Sequence, residues 1–415
     1  MGGRATASRQ PTDGPADRKP ERKDAIAHEA ARLFAERGFA AVGIDDIGAA
    51  VGITGPAIYR HFAGKDALLD AVIVTLLDDY IDVASSIDPA HHDPRQPPLD
   101  ELIGISTAIA LDHPHQVATY IRERARLEGE SARQAAAKER QLRTLWQGIV
   151  RSESPEMAPD LIVLRQQAVL GAMGAMTVQR GLLARPRLDQ LLTAAALRML
   201  RVAEPAPRPA RAAAPTVTGP ADRNGTWQPQ VSRRESILNA ALTLMRIKGY
   251  HGVGIDEIGD AAGISGPAVY RHYASKADIL LDAYDRVGSK VAVGVEAALA
   301  GARGPSEALD NLIESYVSIA MDNVDLIIAT GQEGAALPST ERPRLARQRR
   351  AIAEGWSRVV VELRPELAEA EVHRHVASVF PMVNYLAQVP GRGVDRATML
   401  PVLVRAFLLE EPARG

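Results

Sequence analysis

Apolar residues return every three or four positions along most of the chain. Ile26, Ala30, Leu33 and Phe34 keep the i, i+4, i+7, i+8 spacing of one helix face, and Ile237, Ala241, Leu244 and Met245 keep it again. Gly38 and Gly249 follow these stripes, where a helix commonly ends on a left-handed residue. Ser232, three residues before Glu235, reads as a capping box that opens the second stripe. No alternating run bounded by hairpin turns breaks the helical spacing. The pattern predicts an all-α chain.

The pattern lapses twice. Residues 1–20 are polar and rich in Gly, Pro and Arg, and 204–230, "EPAPRPARAAAPTVTGPADRNGTWQPQ", is rich in Pro, Ala and Gly. Neither can bury a core, so they read as an N-terminal arm and an extended linker. The predicted division is therefore 21–73 and 74–203 before the linker, then 231–285 and 286–412 after it. Each pair is a small helical domain followed by a larger one.

The two halves share a text. "VGIDDIGAAVGITGPAIYRH" from Val42 to His61 and "VGIDEIGDAAGISGPAVYRH" from Val253 to His272 are identical at fifteen of twenty positions, at an offset of 211. Farther on, Asp112 and Asp322, Glu123 and Glu333, Leu127 and Leu337, and Trp146 and Trp356 recur at an offset of 210. A common offset over that distance points to duplication of a whole half.

The repeated stretch predicts two short helices with a tight turn between them. Gly43 can cap the first, Asp45 and Asp46 sit where the helix dipole favours anions, and Ile44, Ile47 and Ala50 are expected to face inward. Gly52 ends that helix and Thr54 opens the next, with Pro56 in the first turn, where a missing N–H costs nothing. Ile58 is expected in the core and Tyr59, Arg60 and His61 on the outer face. Such a pair is a helix-turn-helix. Small residues at Thr54, Gly55, Pro56 and Ala57 would let the backbone approach base edges, and Arg60 can reach guanine or a phosphate. Lys65, opening the next helix, is expected to place a cation and free N–H groups against phosphates.

"VGIDDIGAAVGITGPAIYRHFAGKDALL" and "VGIDEIGDAAGISGPAVYRHYASKADILL" each resemble the DNA-binding domain of the TetR family of bacterial transcriptional regulators. The resemblance implies two TetR-like protomers fused in one chain, each with a three-helix DNA-binding domain and a helical ligand-binding and dimerisation domain. It implies base contacts from Thr54, Gly55, Pro56, Ala57 and Arg60 and phosphate contacts from Tyr59, His61 and Lys65. In the second copy these are Ser265, Gly266, Pro267, Ala268 and Arg271, then Tyr270, His272 and Lys276. Family members often cap the second helix with Ser or Thr, where Gly43 and Gly254 stand here.

Composition narrows rather than redirects this reading. Hydrophobic residues make up 46% and charged residues 24%, an ordinary globular balance. The chain has no cysteine, which excludes disulfides, thiol catalysis and cysteine-bound metal and suits a reducing compartment. Net charge is −2, so the case for nucleic acid is local rather than global. The N-terminus has no apolar run of a secretory signal, and no window looks apolar enough for a membrane span. The expected site is the bacterial cytoplasm, on the nucleoid. The pairs His91-His92, His113/His115 and His373/His375 have no further ligands at metal spacing and are expected at solvated helix ends or in loops. No nucleophile–base pair, phosphate loop or metal set supports an enzyme, and no cofactor is expected.

The larger domains carry less. Gly171, Ala172, Gly174 and Ala175 would permit close helix approach, and the resemblance implies a dimer interface there. Pro381 should kink its helix and Asn384 adds a polar group, as at a pocket or in a plain core. Glu123 and Glu333 can orient a ligand or a neighbouring helix, or lie on an exposed face. The expected protein is a repressor released by a small, lipid-like inducer. One chain would act as a pseudo-dimer on a near-palindromic double-stranded DNA operator, with further self-association open. The rival is a protein–protein adaptor with vestigial helix-turn-helix domains.

Overall fold

The computed structural model describes residues 18–90, 97–179, 183–205, 232–332, 337–389 and 393–409. Their regular structure is all helical, with no strand among the described residues. The first half runs α1 Arg18–Arg37, α2 Ile44–Val51, α3 Gly55–Ile58, α4 Lys65–Ser86, α5 Pro98–Asp112, α6 Pro114–Glu123, α7 Gly129–Glu153, α8 Pro159–Val178 and α9 Arg185–Arg201. Short 3-10 turns stand at Phe39–Ala41 and Arg124–Arg126. The second half repeats the order as α10 Arg233–Lys248, α11 Ile255–Ala261, α12 Gly266–Val269, α13 Lys276–Ala300, α14 Pro305–Asp322, α15 Val324–Gln332, α16 Arg342–Leu363, α17 Glu369–Gln388 and α18 Arg396–Leu408. Most of the expected arm, the linker from 206 to 230, His91-His92 and Glu333 lie outside the described residues.

Local chemistry sets the ends. Gly38 and Gly249 hold φ of 83° and 72° and terminate α1 and α10, a conformation that disfavours any Cβ. Ser232 Oγ accepts the Glu235 N–H at the start of α10. Proline sits in the first turn of α5, α6, α8 and α9 and again of α14 and α16.

α1–α3 and α10–α12 form two three-helix heads over the long helices α4 and α13. The core of the first head is continuous with that of the larger domains. The second head buries its own cluster around Ile237, Ala241, Ile258 and Val269, closed by Leu326, Ala329 and Leu337 from the larger domain. Ile47 is buried as expected, whereas Ala50 is exposed. Gly48 takes the inner position instead, because a Cβ there would lie 2.8 Å from the Ile53 carbonyl oxygen.

The halves meet along a seam in which α8 and α9 pack on α17 and α18. α8 and α17 cross antiparallel. Arg374 Nη1 donates to the Met176 carbonyl at 2.8 Å, and Gln179 Nε2 donates to Ser378 Oγ at 2.8 Å. Of the small residues on α8, Gly171 serves the seam: a Cβ there would come within 3.0 Å of the Tyr385 ring. Gly174 instead admits Ile121 of α6 within the same half. Arginines close the free carbonyls of helix ends, buried Arg165 for α9 and half-buried Arg198 for α18, the latter at 2.9 Å to Ala406 and 3.1 Å to Phe407.

Two sequence expectations change here. α8 is long and apolar enough to cross a membrane, but 67% of that window is buried inside the protein, as a core helix would be. His375 is not at a solvated end. It is 1% exposed on α17, packed against Phe407, with Nδ1 2.9 Å from the Glu371 carbonyl oxygen. An apolar stripe two helices deep leaves no face of α17 for solvent at that position.

Candidate DNA-binding face

The recognition segment in each head is one α-helical turn extended by tight turns. His61 N–H donates to Ile58 O at 2.8 Å and Phe62 N–H at 3.0 Å, while His272 and Tyr273 bond Val269 O at 2.9 and 3.1 Å. Ile58 and Val269 are fully buried and pin the segment to its head. On the other side Thr54, Pro56, Tyr59 and Arg60 are exposed, and so are Ser265, Pro267, Tyr270 and Arg271. Tyr59 and Tyr270 are 58% and 56% exposed. Thr54 and Ser265 occupy N-cap positions, yet neither hydroxyl makes a capping hydrogen bond. Ala57 with His61, and Ala268 with His272, are half-buried at the edge of this face.

Two of the residue types expected on the face behave differently. Gly55 and Gly266 are buried against α2 and α11. A Cβ would fall 2.0 Å from Asp45 Oδ1 in the first head and 1.8 Å from Asp256 Oδ1 in the second. These glycines seat the recognition helix on its partner instead of facing bases. The ammonium groups of Lys65 and Lys276 also turn inward. Lys65 Nζ donates to Phe39 O at 3.0 Å and Val42 O at 2.9 Å, and lies 4.3 Å from the Phe39 ring centroid. Lys276 Nζ does the same with Tyr250 O and Val253 O, 4.3 Å from the Tyr250 ring. Burial lowers the Lys65 pKa, and Asp66 partly offsets it. The lysine thus ties the turn after α1 to the start of α4. Lys65→Ala should destabilise the head by roughly 1.5–3 kcal/mol in urea unfolding, the usual range for hydrogen bonds to a charged group. A stability equal to that of the unaltered chain would refute this structural role.

Glu123 is neither on an exposed face nor in a cavity. It is 1% exposed, with Oε1 accepting the Phe39 N–H at 3.0 Å and Oε2 accepting Arg126 Nε at 2.5 Å. It orients the neighbouring head. Asn384 Oδ1 accepts the Tyr316 hydroxyl at 2.8 Å and borders a cavity of about 580 Å³ in the second half. Pro381 stands within α17 and borders the same cavity. Its floor is apolar, from Val291, Ile352 and Phe380, and Arg349, Arg350, His373 and Arg374 border it without any carboxylate.

A smaller cavity of about 360 Å³ occupies the matching place in the first half. Leu76, Leu142 and Leu170 stand where Val287, Ile352 and Phe380 stand in the other. It contains Glu139, held by the Tyr120 hydroxyl at 2.8 Å and Arg124 Nε at 2.6 Å. Sequence reasoning missed Glu139, although a carboxylate in register with Leu142 and Trp146 on one helix face was a usable signal.

Fold and face together define a helix-turn-helix protein that carries its reading head twice. Residues 26–72 and 237–283 each match the family described as "Bacterial regulatory proteins, tetR family". The repressor KstR2 of Mycobacterium tuberculosis is 30% identical over 152 residues, covering 34% of this chain and 72% of that protein. The activator FasR of Mycolicibacterium smegmatis is 34% identical over 95 residues, 23% of this chain and only 43% of FasR. A solved TetR-family regulator from Bordetella parapertussis aligns with 43% of this chain and 94% of its own, at 20% identity and TM-score 0.40. The chain belongs to the TetR family of bacterial transcriptional regulators in tandem form, and it is a DNA-binding regulator rather than an enzyme.

Proposed function

We propose that one chain works as a covalent pseudo-dimer, a repressor that sets both heads on one near-palindromic operator and leaves it when a small effector binds. The observation that carries this reading is the match between the two faces. Threonine or serine, proline, tyrosine and arginine are exposed in the same order in both heads, above a seam that joins the halves. Two recognition segments reading similar half-sites require a pseudo-symmetric operator. In this reading Thr54, Pro56, Ala57 and Arg60 face bases, Tyr59 and His61 face phosphates, and the second copy does the same. Lys65 and Lys276 contribute through the N-terminal amides of α4 and α13. The arginine-rimmed cavity of the second half suits an effector with an apolar body and an anionic end, and binding there would shift a two-state equilibrium.

Selection of bound sequences from random duplexes, with mass measurement of the minimal complex, tests the reading. One 44.5 kDa chain on two similar half-sites is the expected result. A minimum of two chains on a two-half-site duplex would remove the pseudo-dimer, and unrelated half-sites would mean that one head does not read DNA. On the selected duplex, decanoate should release the protein where decanol does not. Equal release by both would remove the anionic end from the effector.

A further inference from the structure

The two heads are not held alike. Half-buried Arg122 and Arg126 flank buried Glu123 at the end of α6 and in the 3-10 turn after it, with Glu123 Oε1 at 3.2 Å from Arg122 Nε and Oε2 at 2.5 Å from Arg126 Nε. The two guanidinium groups reach different heads. A Cβ at Gly38, which ends α1, would lie 2.6 Å from Arg122 Nη2; one at Gly249, which ends α10, would lie 2.5 Å from Arg126 Nη2. Each cation therefore sits on the backbone at the C-terminus of a head's first helix, where the helix dipole favours positive charge. Both glycines have positive φ, and their bare backbones are what admit the guanidinium planes. Glu123 joins the two cations and also accepts the Phe39 N–H of the first head at 3.0 Å.

The second half cannot build the counterpart. Where the first half reads Arg122-Glu123-Arg124-Ala125-Arg126, the second reads Gln332-Glu333-Gly334-Ala335-Ala336, without either arginine. Among the described residues this triad is the device that touches both heads, and it is asymmetric.

We infer that the Arg122–Glu123–Arg126 triad is a bracket that fixes the separation of the two heads, and so the half-site spacing the chain accepts. The inference rests on the pseudo-dimer reading for its DNA consequence, but its geometric content stands without DNA. Arg126 and Arg122 are positioning residues that touch no base. Loss of Arg126 removes the triad's hold on the second head alone, because Glu123 keeps Arg122 and Phe39.

Spin labels provide the DNA-free test, since the chain has no cysteine of its own. Ala50→Cys and Ala261→Cys place labels on exposed positions of α2 and α11. The expected result is one narrow distance distribution in the labelled parent and a distinctly broader one with Arg126→Ala. Arg133→Ala, at an exposed pair on α7, should leave it narrow. A distribution unchanged by Arg126→Ala overturns the inference. Should that variant fail to fold, Arg126→Gln decides by the same measurement.

On DNA, duplexes carrying the selected half-sites at spacings one base pair longer and shorter provide the second readout. Arg126→Ala should cut the advantage of the preferred spacing by roughly tenfold, and an unaltered spacing profile overturns the link from bracket to operator. If the unmodified chain enriches no half-site at all, it is the DNA reading that fails. The label distances then decide the bracket by themselves.

Discussion

Arg60→Ala and Arg271→Ala should each weaken operator binding by roughly 1–3 kcal/mol, and the double substitution by roughly 2–6 kcal/mol. The two arginines are equivalent in sequence and exposure, and each projects from the same short turn beside an exposed tyrosine. Among the described residues neither makes a hydrogen bond or ion pair that removing it would break within its head, so the loss should appear in binding and not in folding. Additivity is expected because, in the proposed arrangement, the residues serve separate half-sites. The informative measurement is affinity against a panel of half-site variants. A base-reading arginine, when removed, relaxes preference at one position of its own half-site and leaves the other half-site untouched. A uniform loss across the panel would make these residues phosphate contacts, with the salt slope reduced instead.

Acidification should loosen the seam. The His375 pKa is lowered to about 4, first by burial and further by Arg198 and Arg364, against the opposing carbonyl contact with Glu371. Its value in the unfolded chain is near 6.5. The folded state therefore favours neutral imidazole, and the associated stability is fully present above pH 6.5. It is lost as pH falls from 6.5 toward 4, because the unfolded chain takes up the proton first. The difference corresponds to about 3 kcal/mol. His375→Gln should flatten this part of the stability profile, whatever constant change it adds. Urea unfolding of both chains across pH 7 to 4 measures it. Parallel profiles would mean that His375 titrates normally, in contact with water.

The apolar stripes were legible because their information is local. Ile26, Ala30, Leu33 and Phe34 declare a buried helix face by spacing alone, and Gly38 declares its end. The exposed half of the recognition segment was legible for the same reason, since Tyr59 and Arg60 fall off the stripe that holds Ile58. What failed to show was direction set by distant chain. Lys65 opens a helix like a phosphate contact, but its ammonium answers carbonyls of Phe39 and Val42, 26 and 23 residues upstream. Gly55 looked open because it is small; it is small because Asp45 occupies the space a side chain would need. Glu123 repeats as Glu333, which invited one shared role. The arginines on either side of it do not repeat, and they are what give it work between two heads. His375 follows the same rule, for its burial is decided by α18 and not by its own helix.

Because α8 and α17 belong to one polypeptide, closing the seam is a first-order event. A two-chain regulator must first reach the concentration at which its subunits associate, and its paired fraction falls on dilution. Here the pairing partner is always present at an effective concentration fixed by the connecting chain. In the proposed pseudo-dimer, operator occupancy should thus follow the first power of copy number, down to a few molecules per cell. Covalent fusion also lifts the rule that every substitution is made twice. Gly171 faces Tyr385 across the seam, while the position matching Gly171 on the other side holds Pro381. The halves are free to diverge into unequal partners and still inherit as a single gene product.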